Sequence, residues 1–576
     1  MSSNVDTVLV KNDLIMCSDK LSYAVEMNGS SVSSQKFTAT SANSNTHVYT
    51  VQVPSTGVIV DRRVNWHCQF KLEITGTVPD GQCLLQVGST DALGPMPLSQ
   101  LVNNLQCQIN TTTTSVQLNK ILDPLMRCMD RKKFSENHNT TPTYLDNCGS
   151  YVQLANTDFT GFQNNPLAAY ENAFDPLYPP RGSYSIDLIT GNEENTTGAN
   201  QVKTATITYS VTEPIMLSPF CFGDQDGIEA SMHGIQNINL TMSLDSTASR
   251  MFRWYSPIAD KKISKLDFIQ NSCWVEFQFI TPYSTDLLSS TCITPFSNYV
   301  VYPSSSGTPL TSPGIAKLVS NNVQLSSIPD LVIVYVRNQF GNLTPANADA
   351  YATISDVSIN FNNSNGLLSS ASDQLLWRYS REAGSSQSWL EFCGIAAATP
   401  STLANFKNAN TVSTSGSVLM LRFGSAIQIS DPFYSAGSQG AFNFQLTANV
   451  VNNTGATISN PELNLVVVNS GIFISSNGQS SSYTGILTKQ MVLDAQLQEP
   501  IARTELNRML GGGFFSRLKS VAHKSLPHLK RALGLALPYV KAELAKSDNK
   551  YAKLAHKGIG MAGYGQSGGR LASHLQ

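Results

Sequence analysis

Charge is what this chain has least of. Only 14% of its 576 residues are Asp, Glu, Lys or Arg, against about a quarter in an average soluble domain, and Ser, Thr and Asn fill the difference. Ala, Glu, Lys, Leu and Arg do not dominate, which excludes a coiled coil, and no fixed short period marks a solenoid or propeller. Metal-ligand spacing is also lacking. The ten cysteines are Cys17, Cys68, Cys83, Cys107, Cys128, Cys148, Cys221, Cys273, Cys292 and Cys393; no two stand as C-x-x-C, and His67 merely adjoins Cys68. A zinc site usually shows at least one short ligand pair, so buried free thiols are expected and no metal or other cofactor. The opening, MSSNVDTVLVKNDL, lacks the basic-then-apolar order of a secretory signal. The longest apolar run near the C-terminus, Ala532 to Val540, falls short of the ~20 residues that span a bilayer. Synthesis in a reducing cytosol is the expectation.

Catalytic patterns are missing as well. There is no phosphate-binding loop, no H-E-x-x-H and no calcium loop. Gly565-Gln566-Ser567-Gly568-Gly569 fits G-x-S-x-G, but a nucleophile elbow needs triad partners downstream, and only seven residues follow. Acidic pairs such as Asp224 and Asp226 read as solvated loop carboxylates. No catalytic residue is assigned, and the chain is read as a non-enzyme.

What is present is β structure. With 24 Phe, 20 Tyr and 5 Trp, the chain can bury enough apolar surface to offset the entropy of ordering. Val64, Trp66, Cys68, Phe70, Leu72 and Ile74 alternate with polar residues, the signature of a strand buried on one face. The same alternation marks Leu105–Ile109, Ala205–Val211, Ile238–Leu244, Val275–Phe279, Val357–Phe361 and Phe442–Val450. Leu331–Val336 and Leu463–Val468 are nearly continuous apolar runs and predict strands covered on both faces. Gly, Pro, Asn and Ser clusters separate the runs, as in a sandwich or barrel. Two helices are predicted: Asp373–Ala383, between an N-cap at Ser372 and a stop at Gly384, and Lys120–Lys133, interrupted by Pro124. The span 134–200 reads as a long connection, and the polar, Pro-bearing stretch Thr281–Ser297 as a domain break.

After about Leu497 the alternation ends. Residues 511–576 hold 11 Lys and Arg against Glu543 and Asp548, a net of +9; the remaining 510 residues hold 27 against 38, a net of −11. Beyond Gly511-Gly512-Gly513, apolar Phe514, Leu518 and Val521 recur at helical spacing, followed by Leu529, Leu533, Leu537, Val540 and Leu544. Such a segment can lie in a lipid interface, neutralise nucleic-acid phosphates, or dock on a partner subunit with its charges solvated. The residues that would make membrane or nucleic-acid contact are Phe514, Phe515, Arg517, Leu518, Lys519, Lys524, Lys530, Arg531, Leu533, Leu537 and Lys541.

Three stretches carry a family resemblance: VSINFNNSNGLLSS at 357–370 leading into SDQLLWRYS, EPIMLSPF with GIQNINLTMSL within 213–244, and PLSQLVNNLQCQI at 97–109. Together they resemble the double jelly-roll major capsid proteins of polinton-like and adintovirus-like small double-stranded DNA viruses, relatives of the virophages. The resemblance spans about residues 15–495. It implies an all-β double jelly roll of two eight-stranded antiparallel sandwiches, trimers forming pseudo-hexagonal capsomers, and residence in the virion shell. Partners implied are other copies of the chain, penton and minor capsid proteins, and the genome or a host membrane through the tail. The tail itself resembles the amphipathic peptides of adenovirus-like minor proteins, which a viral cysteine protease releases. Met509-Leu510-Gly511-Gly512 before Gly513, and Met561-Ala562-Gly563-Tyr564 before Gly565, fit that protease's preference.

The expected division is an arm at 1–29, a first roll at 30–285, a second at 286–495 and a basic helical tail at 496–576. Two alternatives stay open on sequence: a single-jelly-roll RNA-virus capsid protein with a projecting β domain and a lytic C-terminal peptide, and a β-sandwich carbohydrate-binding protein or glycoside hydrolase.

Overall fold

The computed structural model describes residues 7–11, 23–27, 31–87, 91–128, 186–220, 231–245, 248, 250–254, 258–282, 288–343, 351–397, 411–431, 433–485 and 488. The strand predicted from the alternation at Val64–Ile74 is Asn65–Val78, and every second side chain from Trp66 to Val78 is buried. Its whole length pairs antiparallel with Gln201–Pro214. The opposite edge is shared, Trp274–Thr281 taking Asn65–His67 and Ala259–Phe268 taking Phe70–Thr77. With Ile186–Thr190, Ile59–Asp61, Ser231–Met232 and Ser31–Thr38 these form the larger sheet of the first sandwich. Facing it is a sheet ordered Thr112–Val116, Val102–Ile109, Asn237–Leu244, Thr46–Gln52 and Ser41–Ala42. Inward side chains from both, including Tyr49, Phe70, Leu72, Cys107, Ile207 and Phe277, form one apolar core.

The second sandwich repeats the plan. One sheet runs Cys292–Ser305, Pro461–Ser476, Leu331–Asn338 and Val418–Arg422, with Gln479–Thr484 added as a hairpin on Pro461–Ser476. The other is built on Gln439–Val451, which pairs with Ile315–Val319, Val323–Ser327 and Thr353–Phe361; Ser364–Leu367 completes it. Two packed antiparallel sheet pairs in one chain make a double jelly roll, so the single-roll alternative is set aside.

The continuous apolar runs have a specific cause. In Leu331–Asn338, Val332, Val334 and Val336 face the core of the second sandwich. Leu331, Ile333 and Tyr335 face the other way and join the first sandwich's apolar cluster. Leu463, Leu465 and Val467 divide from Val466 and Val468 in the same manner, as do Leu419 and Leu421 from Val418 and Met420. This sheet is covered on both sides because the first sandwich covers its back. Each fully buried Val, Leu or Ile contributes roughly 1.5–3 kcal/mol, so the two rolls are joined by core rather than by surface contact.

Helix Asp373–Ala383 has the predicted bounds. Ser372 Oγ accepts from Leu375 N at 3.3 Å, and Gly384 ends the helix at φ +118°. It covers the sheet-edge strand Val418–Arg422, where Ser380 Oγ accepts from Met420 N at 3.0 Å. Two expectations need correction. The helix expected at Lys120–Lys133 runs Leu118–Met126 and passes through Pro124, because its free carbonyls find partners across the junction. The connection at 134–200 contains strand Ile186–Thr190, which adds to the edge of Gln201–Pro214. Short helices at Pro97–Leu101 and Trp389–Phe392 went unpredicted, although the second has a capping box of Ser388 and Glu391.

Candidate functional site: the junction between the rolls and the exposed faces

Helix Leu118–Met126 lies at the junction with nearly all its side chains buried. Pro124 has no N–H, so the carbonyl four residues back, on Lys120, loses its helical donor. Tyr335, from the second roll, donates its hydroxyl to that carbonyl. Arg337 donates to the Asn119 carbonyl at 2.9 Å. Asp123, one residue before the proline, lies 3.6 Å from Arg337 and 3.9 Å from Arg250, and accepts from the Tyr351 hydroxyl. Lys120 Nζ pairs with Glu462 at 3.1 Å. Burial pushes the Tyr335 and Tyr351 phenols above their ordinary range, which keeps both neutral and able to donate.

A second seam lies between the hairpin strand Gln479–Thr484 and the first roll. Asn110 Nδ2 donates to Gln479 O at 3.3 Å, Thr111 Oγ1 to Ser480 O at 3.1 Å, and Gly478 N to Gly234 O at 2.9 Å. Ser475 Oγ donates to His233 O at 2.6 Å. Backbone bonds and buried charges at two places, with shared core between, fix one roll against the other. What this arrangement does is mechanical: it makes a two-roll block out of one chain.

The outer faces are polar with scattered apolar side chains. Val202 is 73% exposed and Leu188 56%, both on the larger sheet of the first roll; Ile315 is 79% and Val319 48% exposed, on an edge strand of the second. Beside helix Asp373–Ala383, Leu375, Trp377, Arg378 and Trp389 line an open groove of about 400 Å³. Every site residue expected from sequence, in the cleavage patterns at Met509–Gly513 and Met561–Gly565 and in the amphipathic segment from Phe514 to Lys541, lies outside the described residues. So do Asp224 and Asp226. The junction residues escaped the sequence reading; the continuous runs signalled a covered second face, and Pro124 an interrupted helix, but neither named its partner.

Two family models match the chain in succession. The Sputnik virophage major capsid protein 1st domain matches residues 3–278, and the major capsid protein V20 C-terminal domain matches residues 290–471. Capsid protein V20 of Sputnik virophage is 26% identical over 541 residues, covering 90% of this chain and 86% of that protein. The chain belongs to the virophage major capsid protein family.

Solved structures of the same fold include that of the Sputnik virophage by cryo-EM, with a TM-score of 0.71, 23% identity, and coverage of 86% of this chain and 98% of the other. The mavirus major capsid protein crystal structure gives a TM-score of 0.62 and 14% identity, covering 81% and 93% of the respective chains. As a virophage-type major capsid protein, the chain is a structural component of the virion shell.

Proposed function

We propose that three copies of this chain associate into a pseudo-hexagonal capsomer, each copy contributing two of six jelly rolls. The supporting observation is the shared core of Leu331, Ile333, Tyr335, Val466 and Val468 with the first roll. A chain whose two rolls cannot swing apart presents a fixed pair of tiles, and a threefold arrangement of fixed pairs closes as a near-hexagon. The division at 285/286 is part of this reading. Light scattering on the purified full chain is the test. A mass three times that of the chain is expected; a monomer at assembly concentrations, or a dimer or pentamer, overturns the proposal.

The basic C-terminal segment is proposed to lie on the capsid interior and to act on genome or membrane, after release by a viral cysteine protease at Gly512/Gly513 or Tyr564/Gly565. Its amphipathic pattern and net charge of +9 over residues 511–576 support this. Leakage of anionic liposomes by a peptide spanning 514–546 favours the membrane role; salt-sensitive DNA binding without leakage favours the genome. Virions containing only full-length chain would remove the cleavage step.

A further inference from the structure

The first roll's core holds a group of donors with no part in the junction. His47 and Tyr49 alternate on the inner face of strand Thr46–Gln52, which belongs to the smaller sheet. Cys68 projects from the facing sheet. The register that sets Trp274 opposite His67 puts Cys273, one residue earlier, opposite Cys68. One ligand atom each from His47, Cys68 and Cys273 lie within 4.8 Å of one another, and all three residues are buried. His47 Nδ1 is 3.8 Å from Cys68 Sγ and 3.2 Å from Tyr49 Oη, which is itself 3.9 Å from Cys68 Sγ.

The three separations among His47, Tyr49 and Cys68 are close to three edges of a small tetrahedron, and Cys273 Sγ lies within 4.8 Å of the His47 and Cys68 ligand atoms. Zinc takes sulfur at about 2.3 Å and imidazole nitrogen at about 2.0–2.1 Å, so adjacent ligand atoms of a tetrahedral site stand roughly 3.3–3.8 Å apart. Both thiols are free. Trp66 Nε1 donates to Tyr49 Oη at 2.8 Å and orients the phenol. Phe268 packs edge-on against His47 with ring centroids 4.4 Å apart, closing one side of the group to water. His47 Nε2 is buried with no hydrogen-bond partner, while its Nδ1 faces the Tyr49 hydroxyl.

We propose that His47, Cys68, Cys273 and Tyr49 form a structural zinc site that staples the two sheets of the first roll together. Charge selects the ion. Two thiolates, a neutral imidazole and a neutral phenol around a divalent cation sum to zero, the net charge an apolar core tolerates; a monovalent soft ion would leave one negative charge buried. Binding replaces two S–H protons, which pass to solvent, and no electron moves. The imidazole–thiolate set suits zinc over calcium or magnesium, which require oxygen ligands. C-x-x-C spacing is absent because the ligands come from two strands and from the residue just before a third, brought together by register rather than by a hairpin.

The test uses the full chain expressed in zinc-supplemented medium, with metal content measured by mass spectrometry. About one zinc per chain is expected, falling at least tenfold in Cys68→Ser and Cys273→Ser and unchanged in Cys107→Ser, whose thiol is buried elsewhere. Refolding wild type with Co²⁺ in place of zinc should give an intense thiolate-to-cobalt band in the near ultraviolet. This readout holds even if the cysteine variants fail to fold. Zinc-free wild type, cobalt-refolded protein without the band, stoichiometry unaffected by either variant, or a Cys68–Cys273 disulfide in the native protein would each overturn the proposal.

Discussion

Glu213 illustrates how one side chain can tie stability to pH. It is fully buried, and its two oxygens accept from the backbone N–H groups of Leu98 and Ser99, each at 2.8 Å. Burial pushes its carboxyl up to about 7, while the two N–H donors pull the other way. The folded side chain therefore keeps its proton to about pH 7, but the unfolded one only to about 4.5. Between those values the native state binds more protons, so this group's contribution falls as pH rises, by roughly 3 kcal/mol across the window. Wild type compared with Glu213→Gln in urea unfolding from pH 4.5 to 8 isolates it from histidine titration. The gap between their stabilities should change by that amount and level off above pH 7. Parallel curves would show that Glu213 is ionised throughout. Asp123 lies instead within ion-pair distance of two buried guanidinium groups. Asp123→Asn leaves Arg250 and Arg337 buried beside a neutral partner, and should cost about 3–5 kcal/mol in unfolding free energy with little dependence on salt.

Among the elements, helix Leu118–Met126 shows where a local rule yields to a tertiary contact. Interior proline costs a helix about 3 kcal/mol, partly through the stranded carbonyl; here Tyr335 supplies the donor that the ring lacks. Tyr335→Phe should therefore cost about 1–3 kcal/mol in the native background. In Pro124→Ala, where the backbone N–H returns, the same change should cost visibly less, and equal penalties in the two backgrounds would refute the pairing. This helix also marks the limit of what can be read from the chain alone. Period-two alternation announced Asn65–Val78 and Gln439–Val451 because each has one covered face. Leu331–Val336 announced two covered faces, yet an apolar run carries no record of which body lies on either side. Ser372 and Gly384 bracket their helix because caps are local chemistry. The Asp123 cluster was illegible because Arg250, Arg337 and Tyr351 converge from distant positions only once both rolls are in place. The same holds for His47, Cys68 and Cys273, each of which reads in isolation as an ordinary inward residue.

For the whole molecule, the question is how a pair of fixed rolls finds its neighbours with so few charges. Isolated exposed apolar residues are ordinary on any surface, but Ile315 and Val319 share the outward side of an edge strand with Lys317. An apolar edge left open invites indiscriminate pairing, and proteins normally cover or charge it. Coverage by the next copy would remove the hazard and add association energy. Because both side chains already face water in the single chain, Ile315→Asp with Val319→Asp should change folding stability by no more than about 1 kcal/mol in total. If the proposed trimer forms through this strand, the double variant should shift toward monomer in light scattering, with unchanged circular dichroism and thermal midpoint. Val202→Asp supplies a matching perturbation at an exposed apolar position of the first roll. If both variants keep the wild-type mass at the same concentrations, these side chains do not carry the contact, and the interface must be sought along polar surface. If only the strand variant dissociates, the threefold contact runs through the second roll, leaving the first roll's broad sheet for contacts between capsomers.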